Sequence, residues 1–157
     1  MREWFTTHQW SAAELILIDV IDAIDGALHA SASTVTRTGL TVVVTTNPWM
    51  DITHVYNPTV VAVRLRRISR LPTVQRRDEF PEYALECDRR GVHSAAAFPI
   101  RSDGHVHGAL TITSADHHGF DIPDLRTGRR AADELALILA AALTRQPIPN
   151  QPWAVSR

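Results

Sequence analysis

The sequence predicts one domain of the α+β class, in which β-hairpins and helices follow one another along the chain. Three observations lead to this prediction. The stretch Gly91 to Ser114 reads as a hairpin with two unlike faces, Ser31 to Thr46 reads as a second hairpin around Thr38-Gly39, and helical patterns occur near both ends. The 157 residues, 45% of them apolar, are enough to bury a core without a metal or a disulfide.

The hairpin from Gly91 to Ser114 is the most informative stretch. Ser102-Asp103-Gly104 predicts a three-residue loop, which sets Arg101 opposite His105. A two-residue turn at Asp103-Gly104 would divide the bulky apolar residues between the faces, so the longer loop is favoured. In this register the core face carries Ser94, Ala96, Phe98, Ile100, Val106, Leu110 and Ile112. The other face, a predicted cavity floor, carries His93, Ala95, Ala97, Pro99, His107, Ala109, Thr111 and Thr113.

The remaining elements are predicted from caps and breakers. Ser11 and Glu14 form a capping-box pattern for a first helix that extends to about Leu28, and its apolar surface is wider than one sheet contact needs. Spacing alone leaves Thr59 to Ile68 ambiguous between helix and strand, and we interpret it as a helix. We then expect a strand at Leu71–Gln75, a helix at Glu79–Arg90 capped by Gly91 and a helix at Asp121–Leu143. Residues 1–146 form the predicted domain and residues 147–157 a proline-rich tail.

Charge and composition exclude several classes of function. The net charge is −1, which argues against attraction to nucleic acid or to an anionic membrane. No segment approaches the roughly 20 apolar residues that span a bilayer, and no signal peptide is seen, so we expect a soluble cytoplasmic protein. The single cysteine, Cys87, cannot form an internal disulfide, and a structural thiol is favoured over a redox role. A cluster of arginines from Arg64 to Arg77 fits either a solvated surface, which is favoured, or a phosphate-bearing partner.

The motifs Gly91-Val92-x-Ser94, Phe98-Pro99-Ile100 and Gly108-Ala109-Leu110, in this order of elements, resemble a GAF domain over roughly Ser11 to Leu143. The chain is most similar to the actinobacterial GAF domains that precede an RNA-binding ANTAR module, although no such module follows Leu143. The resemblance implies a twisted antiparallel sheet of five to six strands. It also implies that the N- and C-terminal helices lie on one face, with short helices and a small-molecule pocket over the other.

Several features of GAF subfamilies are missing. Asn57-Pro58-Thr59 stands where the relatives have a Gly-Pro-Cys turn, and the cyclic-nucleotide signature is not recognisable. Cys87 precedes Asp88, so the Cys-His pair that attaches bilins is absent. Methionine sulfoxide reductases of this fold need several cysteines, and this chain has one.

The candidate ligand-binding residues come from the second face of the hairpin and from the segment expected to cover it. Alanines there would leave room, and His107 and Thr111 would supply hydrogen bonds. The candidates are His93, Ala95, Ala97, His107, Ala109 and Thr111, together with Trp49, Met50 and Tyr56. The alternative is that the middle helices fill this space.

Neither a cofactor nor a catalytic set is predicted. His93, His105 and His107 leave open a metal or, by resemblance, a haem, but no carboxylate or cysteine stands at a spacing that would complete a metal site. The expected function is a non-catalytic sensory or regulatory module that binds a small molecule, a signalling partner protein or both. The excess apolar surface of the first helix predicts a homodimer through the terminal helices. A ligand-free dimerisation or scaffold protein is the alternative.

Overall fold

The computed structural model describes residues 12–24, 26–36, 39–45, 57–71, 77–116 and 119–145. Four α-helices lie within these residues: α1 (Ala12–Ala23), α2 (Pro58–Leu65), α3 (Pro81–Arg89) and α4 (Ile122–Arg145). A 3₁₀ turn (Arg77–Glu79) precedes α3. The strands are β1 (Ala27–Thr36), β2 (Gly39–Thr45), β3 (Ser69–Leu71), β4 (Ser94–Ser102) and β5 (His105–Ser114). None of the described helices is both long and apolar enough to cross a membrane.

The strands form one antiparallel sheet in the order β2-β1-β5-β4-β3. On one face, α1 and α4 pack against β1, β4 and β5, and on the other face α2 and α3 lie over β3, β4 and β5. The α+β class and the predicted placement of terminal and middle helices are therefore confirmed. Five strands lie within the described residues, and the predicted number was five to six.

The predicted loop of the β4–β5 hairpin is wrong. Ser102 pairs with His105 across a two-residue turn, in which Asp103 (φ 49°) and Gly104 (φ 77°) both take positive φ, the requirement of a type I′ turn. A bulge follows, because Ile100 pairs with Gly108 while Arg101 pairs with Val106, which leaves His107 as an extra residue.

The two faces of the hairpin nevertheless survive this correction. Beyond the bulge the register differs from the predicted one by two residues, and an even shift leaves each side chain on its predicted face. Phe98 pairs with Leu110, Ala96 pairs with Ile112, and all four lie in the core beneath the terminal helices. Val106 lies on the turn side of the bulge, is partly exposed and does not join that core.

The first helix ends earlier than predicted. It stops at Ala23 instead of Leu28, and Gly26 then takes a left-handed φ of 74° before β1 begins at Ala27. Ala27, which the prediction places near the end of the helix, instead pairs with Ser114 of β5. The pairing gained by β1 overrides the helical pattern of a short apolar run.

The helix boundaries elsewhere follow local capping chemistry. The ambiguous segment is helical, and Asn57 Oδ1 accepts a hydrogen bond from Val60 N at 3.0 Å to cap α2. At the start of α4, Asp121 Oδ1 accepts from Asp124 N and Asp124 Oδ2 accepts from Asp121 N, which is a capping box. Gly91 has the expected left-handed φ after α3. The short strand β3 begins at Ser69, two residues before the predicted start at Leu71, and the rest of the predicted strand, residues 72–75, lies outside the described residues.

The ring of Phe98 packs directly against Gly128 of α4. Its side chain is 1% exposed, and a β-carbon at Gly128 would stand 2.4 Å from the Cε2 and Cζ atoms of its ring. Glycine at position 128 therefore lets α4 approach β4 closely enough to bury the ring. The predicted core role of Phe98 is confirmed.

We expect Phe98→Ala to lower the free energy of unfolding by about 3–5 kcal/mol, because a buried ring leaves a cavity. Gly128→Ala should cost about 1–3 kcal/mol by overpacking the same point. Urea unfolding of both variants and of the double variant Phe98→Ala/Gly128→Ala completes the comparison, and the double variant should lose less than the sum of its single changes because the ring that the new β-carbon would meet is gone. Strict additivity would show that the ring and the glycine do not meet.

Candidate functional site

The predicted ligand face forms a continuous strip at the centre of the sheet, which we call the covered face: Ala95, Ala97, Ala109, Thr111 and Thr113. All five side chains are at most 2% exposed. They alternate along β4 and β5 with the core residues of the opposite face, which is why the pairing of these two strands defines both surfaces.

Helix α2 lies on the middle of the covered face. Ala62 packs against Ala97 and Ala109, and the small side chains allow the helix to approach the sheet closely. The Oγ1 atoms of Thr59 and Thr111 lie 2.6 Å apart and share a buried hydrogen bond. The hydroxyl of Thr111, which we expected to orient a ligand, is therefore bonded to the first turn of α2.

Helix α3 covers the end of the face nearest Ala95. Tyr83 and Cys87 of this helix pack with Ala95 in a cluster that also contains Val61, Leu71, Phe80 and Val92. Burial raises the pKa of Tyr83 well above its ordinary value of 10.0, and the electrostatic and hydrogen-bond contacts with Cys87 raise it further. Cys87 is fully buried in this cluster, which favours the structural interpretation of the thiol.

Thr113 is the exception on the covered face, because its hydroxyl has no hydrogen-bond partner among the described residues. Its side chain is 0% exposed, and within the described part of the protein its Oγ1 makes no hydrogen bond. Thr113 pairs across the strands with Ala95, so its hydroxyl lies at the level where α3 covers the sheet. A buried hydroxyl without a partner costs about 1–3 kcal/mol, and a bound polar group would recover this free energy.

The predicted histidines do not gather on this strip. His93 is half-buried at the beginning of β4, where its backbone N donates to Ser114 O at 2.8 Å. His107 occupies the bulge, and its Nε2 lies 2.6 Å from Ser102 Oγ near the turn, while His105 is exposed. Within the described ranges, no three His, Cys, Asp or Glu side chains come together as a metal site would require.

The other three candidate residues, Trp49, Met50 and Tyr56, lie outside the described residues. Their assignment to the ligand site stays a prediction. Sequence reasoning missed Thr59, although a signal was available. The Asn57-Pro58 start of α2 fixes the first turn, and a threonine there can face the sheet.

Comparison with known proteins identifies the family. A family model described as GAF domain matches residues 54–140, more than half of the 157 residues. The chain belongs to the GAF family. GAF domains are sensory and regulatory modules of signalling proteins, and the covered face is the sheet surface of such a module. No curated protein matches the chain.

Solved GAF structures share its fold at low sequence identity. The GAF domain of a two-component sensor histidine kinase from Bacillus halodurans has a TM-score of 0.66 and 19% identity, covering 88% of this chain and 100% of its own. The GAF domain of an Acinetobacter phosphoenolpyruvate-protein phosphotransferase has a TM-score of 0.64, 15% identity and 89% coverage of both chains. A type II free methionine-R-sulfoxide reductase from Thermoplasma acidophilum has a TM-score of 0.62 and 15% identity, covering 83% of this chain and 96% of its own.

Two threonine substitutions should have opposite effects on stability. Thr111→Val leaves the buried hydroxyl of Thr59 without a partner and should cost about 1–3 kcal/mol. Thr113→Val replaces an unbonded hydroxyl by a methyl of the same shape and should leave stability unchanged or raise it. Urea unfolding of the purified variants without added ligand measures both effects. A loss of stability in Thr113→Val equal to that in Thr111→Val would mean that Thr113 has a polar partner in the free protein.

Tyr83 should make the domain sensitive to alkali. The folded state retains the tyrosine proton above pH 10, whereas the unfolded state releases it, so this residue leaves stability unchanged below about pH 10 and lowers it above. The fall should approach about 1.4 kcal/mol per pH unit. Urea unfolding at pH 8 and pH 10.5 should show a smaller fall for Tyr83→Phe than for the wild type. An equal fall in the two proteins would assign the alkaline sensitivity to other groups.

Proposed function

We propose that this GAF domain is a non-catalytic sensory or regulatory module that binds a small, polar, uncharged molecule or group against the covered face. The unbonded hydroxyl of Thr113 is the observation that supports this most directly. It is a desolvated polar group on the face that the sequence assigns to ligand binding, and the remaining side chains of the strip are alanines and one bonded threonine. A ligand that hydrogen-bonds Thr113 would remove the cost of burying it.

The chemistry of the strip favours a hydrogen-bonding ligand without charge. The five side chains of the covered face carry no ionisable group, and the neighbouring Tyr83 is held in its neutral form by burial. A charged ligand would lose its hydration without gaining a counter-ion from these residues. Space for a ligand requires a shift of α2 or α3, because the side chains of the strip are at most 2% exposed.

A catalytic role has weaker support. The buried Cys87 packs in an apolar cluster and contacts Tyr83, which burial holds in its neutral form, and such surroundings favour a structural thiol over an activated nucleophile. The methionine sulfoxide reductase that shares the fold shows that enzymes exist on this scaffold. The proposal for this chain is therefore regulation and not turnover.

The partners belong to the same proposal. We propose that the protein is a cytoplasmic homodimer that pairs through its terminal helices. The dimer would pass the ligand signal to a signalling protein that binds it. We also propose a relationship to actinobacterial GAF domains of the GAF-ANTAR type. Leu15 on α1 and Leu137 on α4 support an interface, since both are large apolar side chains that lie exposed on the outer surface of these helices. The net charge of −1 gives no reason to add nucleic acid or membrane to the partners.

The ligand hypothesis is tested by thermal unfolding in a library of uncharged metabolites. A ligand present at 100 times its dissociation constant should stabilise the domain by about 2.7 kcal/mol, which raises the melting temperature by several degrees. Ala97→Leu should abolish the rise by filling the space over the sheet, and Thr113→Val should weaken it by removing the hydrogen bond. Leu85→Ala, an exposed change on α3, is the matched control and should retain the full rise.

The alternative function is a ligand-free scaffold, in which α2 and α3 fill the covered face permanently. The close packing of Ala62 on Ala97 and Ala109 favours it. If no compound raises the melting temperature and native mass spectrometry of the purified protein finds no bound molecule, the sensory function is wrong and the ligand-free scaffold function is supported.

A further inference from the structure

The outer surface of α4 carries a pattern that folding of one chain does not explain. Its exposed residues form a stripe along the helix: Ile122, Pro123, Arg126, Arg129, Arg130, Asp133, Glu134, Leu137 and Ala141. Leu137 (71%) and Ile122 (66%) are the most exposed large apolar side chains among the described residues. We call this set the α4 stripe.

The α4 stripe is nearly symmetric about the point between Ala131 and Ala132. Reflection through this point exchanges Ile122 with Ala141 and Arg126 with Leu137. It also exchanges Arg129 with Glu134 and Arg130 with Asp133. Every exposed residue is thus matched to an exposed residue, except Pro123, whose counterpart Ala140 is partly exposed. Two copies of α4 related by a two-fold axis and running antiparallel would place these residues opposite one another.

The charges distinguish the antiparallel from the parallel arrangement. In the antiparallel arrangement both arginines of one copy meet acids of the other, which gives four pairs of opposite charge around the axis. In a parallel arrangement in register, Arg130 would meet Arg130 and Asp133 would meet Asp133. Like charges placed opposite each other suppress an interface, whereas complementary charges set its register.

The apolar and long side chains fit the same arrangement. Leu137 of one copy meets Arg126 of the other, and the aliphatic part of an arginine side chain can cover a leucine while its charged end remains in water. The antiparallel arrangement also aligns each helix N-terminus with the C-terminus of its partner, so the two helix dipoles attract.

The four charged residues at the centre of the stripe form no ion pairs among the described residues of the protomer. These residues are Arg129, Arg130, Asp133 and Glu134. By contrast, Glu86 on α3 contacts both Arg89 and Arg90. On α4 each arginine precedes its acid by four residues, and this order is the less favourable one within a helix.

We infer that a second copy of this chain docks on the α4 stripe, with the two α4 helices antiparallel and their two-fold axis between Ala131 and Ala132. This inference rests on the homodimer of the proposed function and specifies the contact surface, the relative orientation of the two helices and the pairs of opposite charge between them. The contact lies on the far side of the sheet from the covered face, so ligand binding and pairing can be measured separately.

Charge-reversal variants test the four pairs of opposite charge between the two copies of α4. R129E/R130E gives an all-acidic centre and D133R/E134R an all-basic one, and sedimentation velocity measures dimerisation of the full chain. Each variant should raise the dimer dissociation constant on the order of 100-fold, because four attractive pairs become repulsive. The quadruple variant R129E/R130E/D133R/E134R should restore wild-type dimerisation, and an equimolar mixture of the two double variants should form a heterodimer.

The matched control is Glu82→Arg, which reverses an exposed charge on α3 and should leave the dissociation constant unchanged. Circular dichroism melts check that the variants fold, as expected for residues that lie on the surface. Raising the salt concentration should weaken the wild-type dimer and have the opposite effect on the residual dimers of each double variant.

The orientation is tested by spin labels on Ile122→Cys, since the native Cys87 is buried and stays unlabelled. The antiparallel arrangement separates the two labels by about 30 Å, from the helical rise of about 1.5 Å per residue, whereas a parallel arrangement brings them to about 10 Å. A short separation, a dimer that ignores the charge reversals, or a wild-type chain that sediments as a monomer up to millimolar concentration would overturn the inference. A monomer that still gains stability from a ligand would leave the sensory function intact.

Discussion

The pairing of β4 with β5 determines the two surfaces on which the rest of the domain is built. The type I′ turn at Asp103-Gly104 alone would place Phe98 opposite Ala109 and divide the bulky residues between the two faces. The extra residue His107 restores the alternation, so that Phe98 meets Leu110 under the terminal helices and Ala97 meets Thr111 under α2. One bulge therefore gives the sheet a large-residue face and a small-residue face.

The size of the side chains on each face of the sheet determines which helices can pack against it. The large side chains require a long apolar helix, and Gly128 allows α4 to approach the ring of Phe98. The small side chains on the reverse side allow α2 to come close enough for Ala62 to contact Ala97 and for Thr59 to bond Thr111. Close packing leaves few places for a polar group, which is why the unbonded hydroxyl of Thr113 is informative. Within the described strip it is the position where the structure would gain most from a hydrogen-bonding molecule.

Alternation and caps, which are local signals, predicted the class and the two faces of the hairpin, whereas the placement of the helices on the two sides of the sheet was implied by the resemblance to GAF domains. Sequence reasoning missed the hairpin loop because a bulge at His107 cancels the effect of a shorter turn, and two errors of one residue leave the pattern of faces unchanged. It extended α1 to Leu28 because an apolar run does not reveal that Ala27 will pair with β5. It assigned the alanines and Thr111 to the correct face of the sheet, and their role in ligand binding stays a prediction, but it did not predict that the hydroxyl of Thr111 would be bonded to Thr59. That contact joins residues that are 52 positions apart.

The same strands connect the covered face to the α4 stripe. Successive residues of β4 point in opposite directions, so Ala97 contacts α2 while Phe98 meets α4 at Gly128. A ligand that moves α2 away from the sheet would remove a contact of Ala97 and alter the strand that positions Phe98. The contact at Gly128 has no spare volume, so a displacement of the ring acts directly on α4, whose outer surface carries the proposed dimer contact. Ligand binding would then change the free energy of dimerisation by the same amount as dimerisation changes the free energy of ligand binding, because the linkage between two sites is reciprocal.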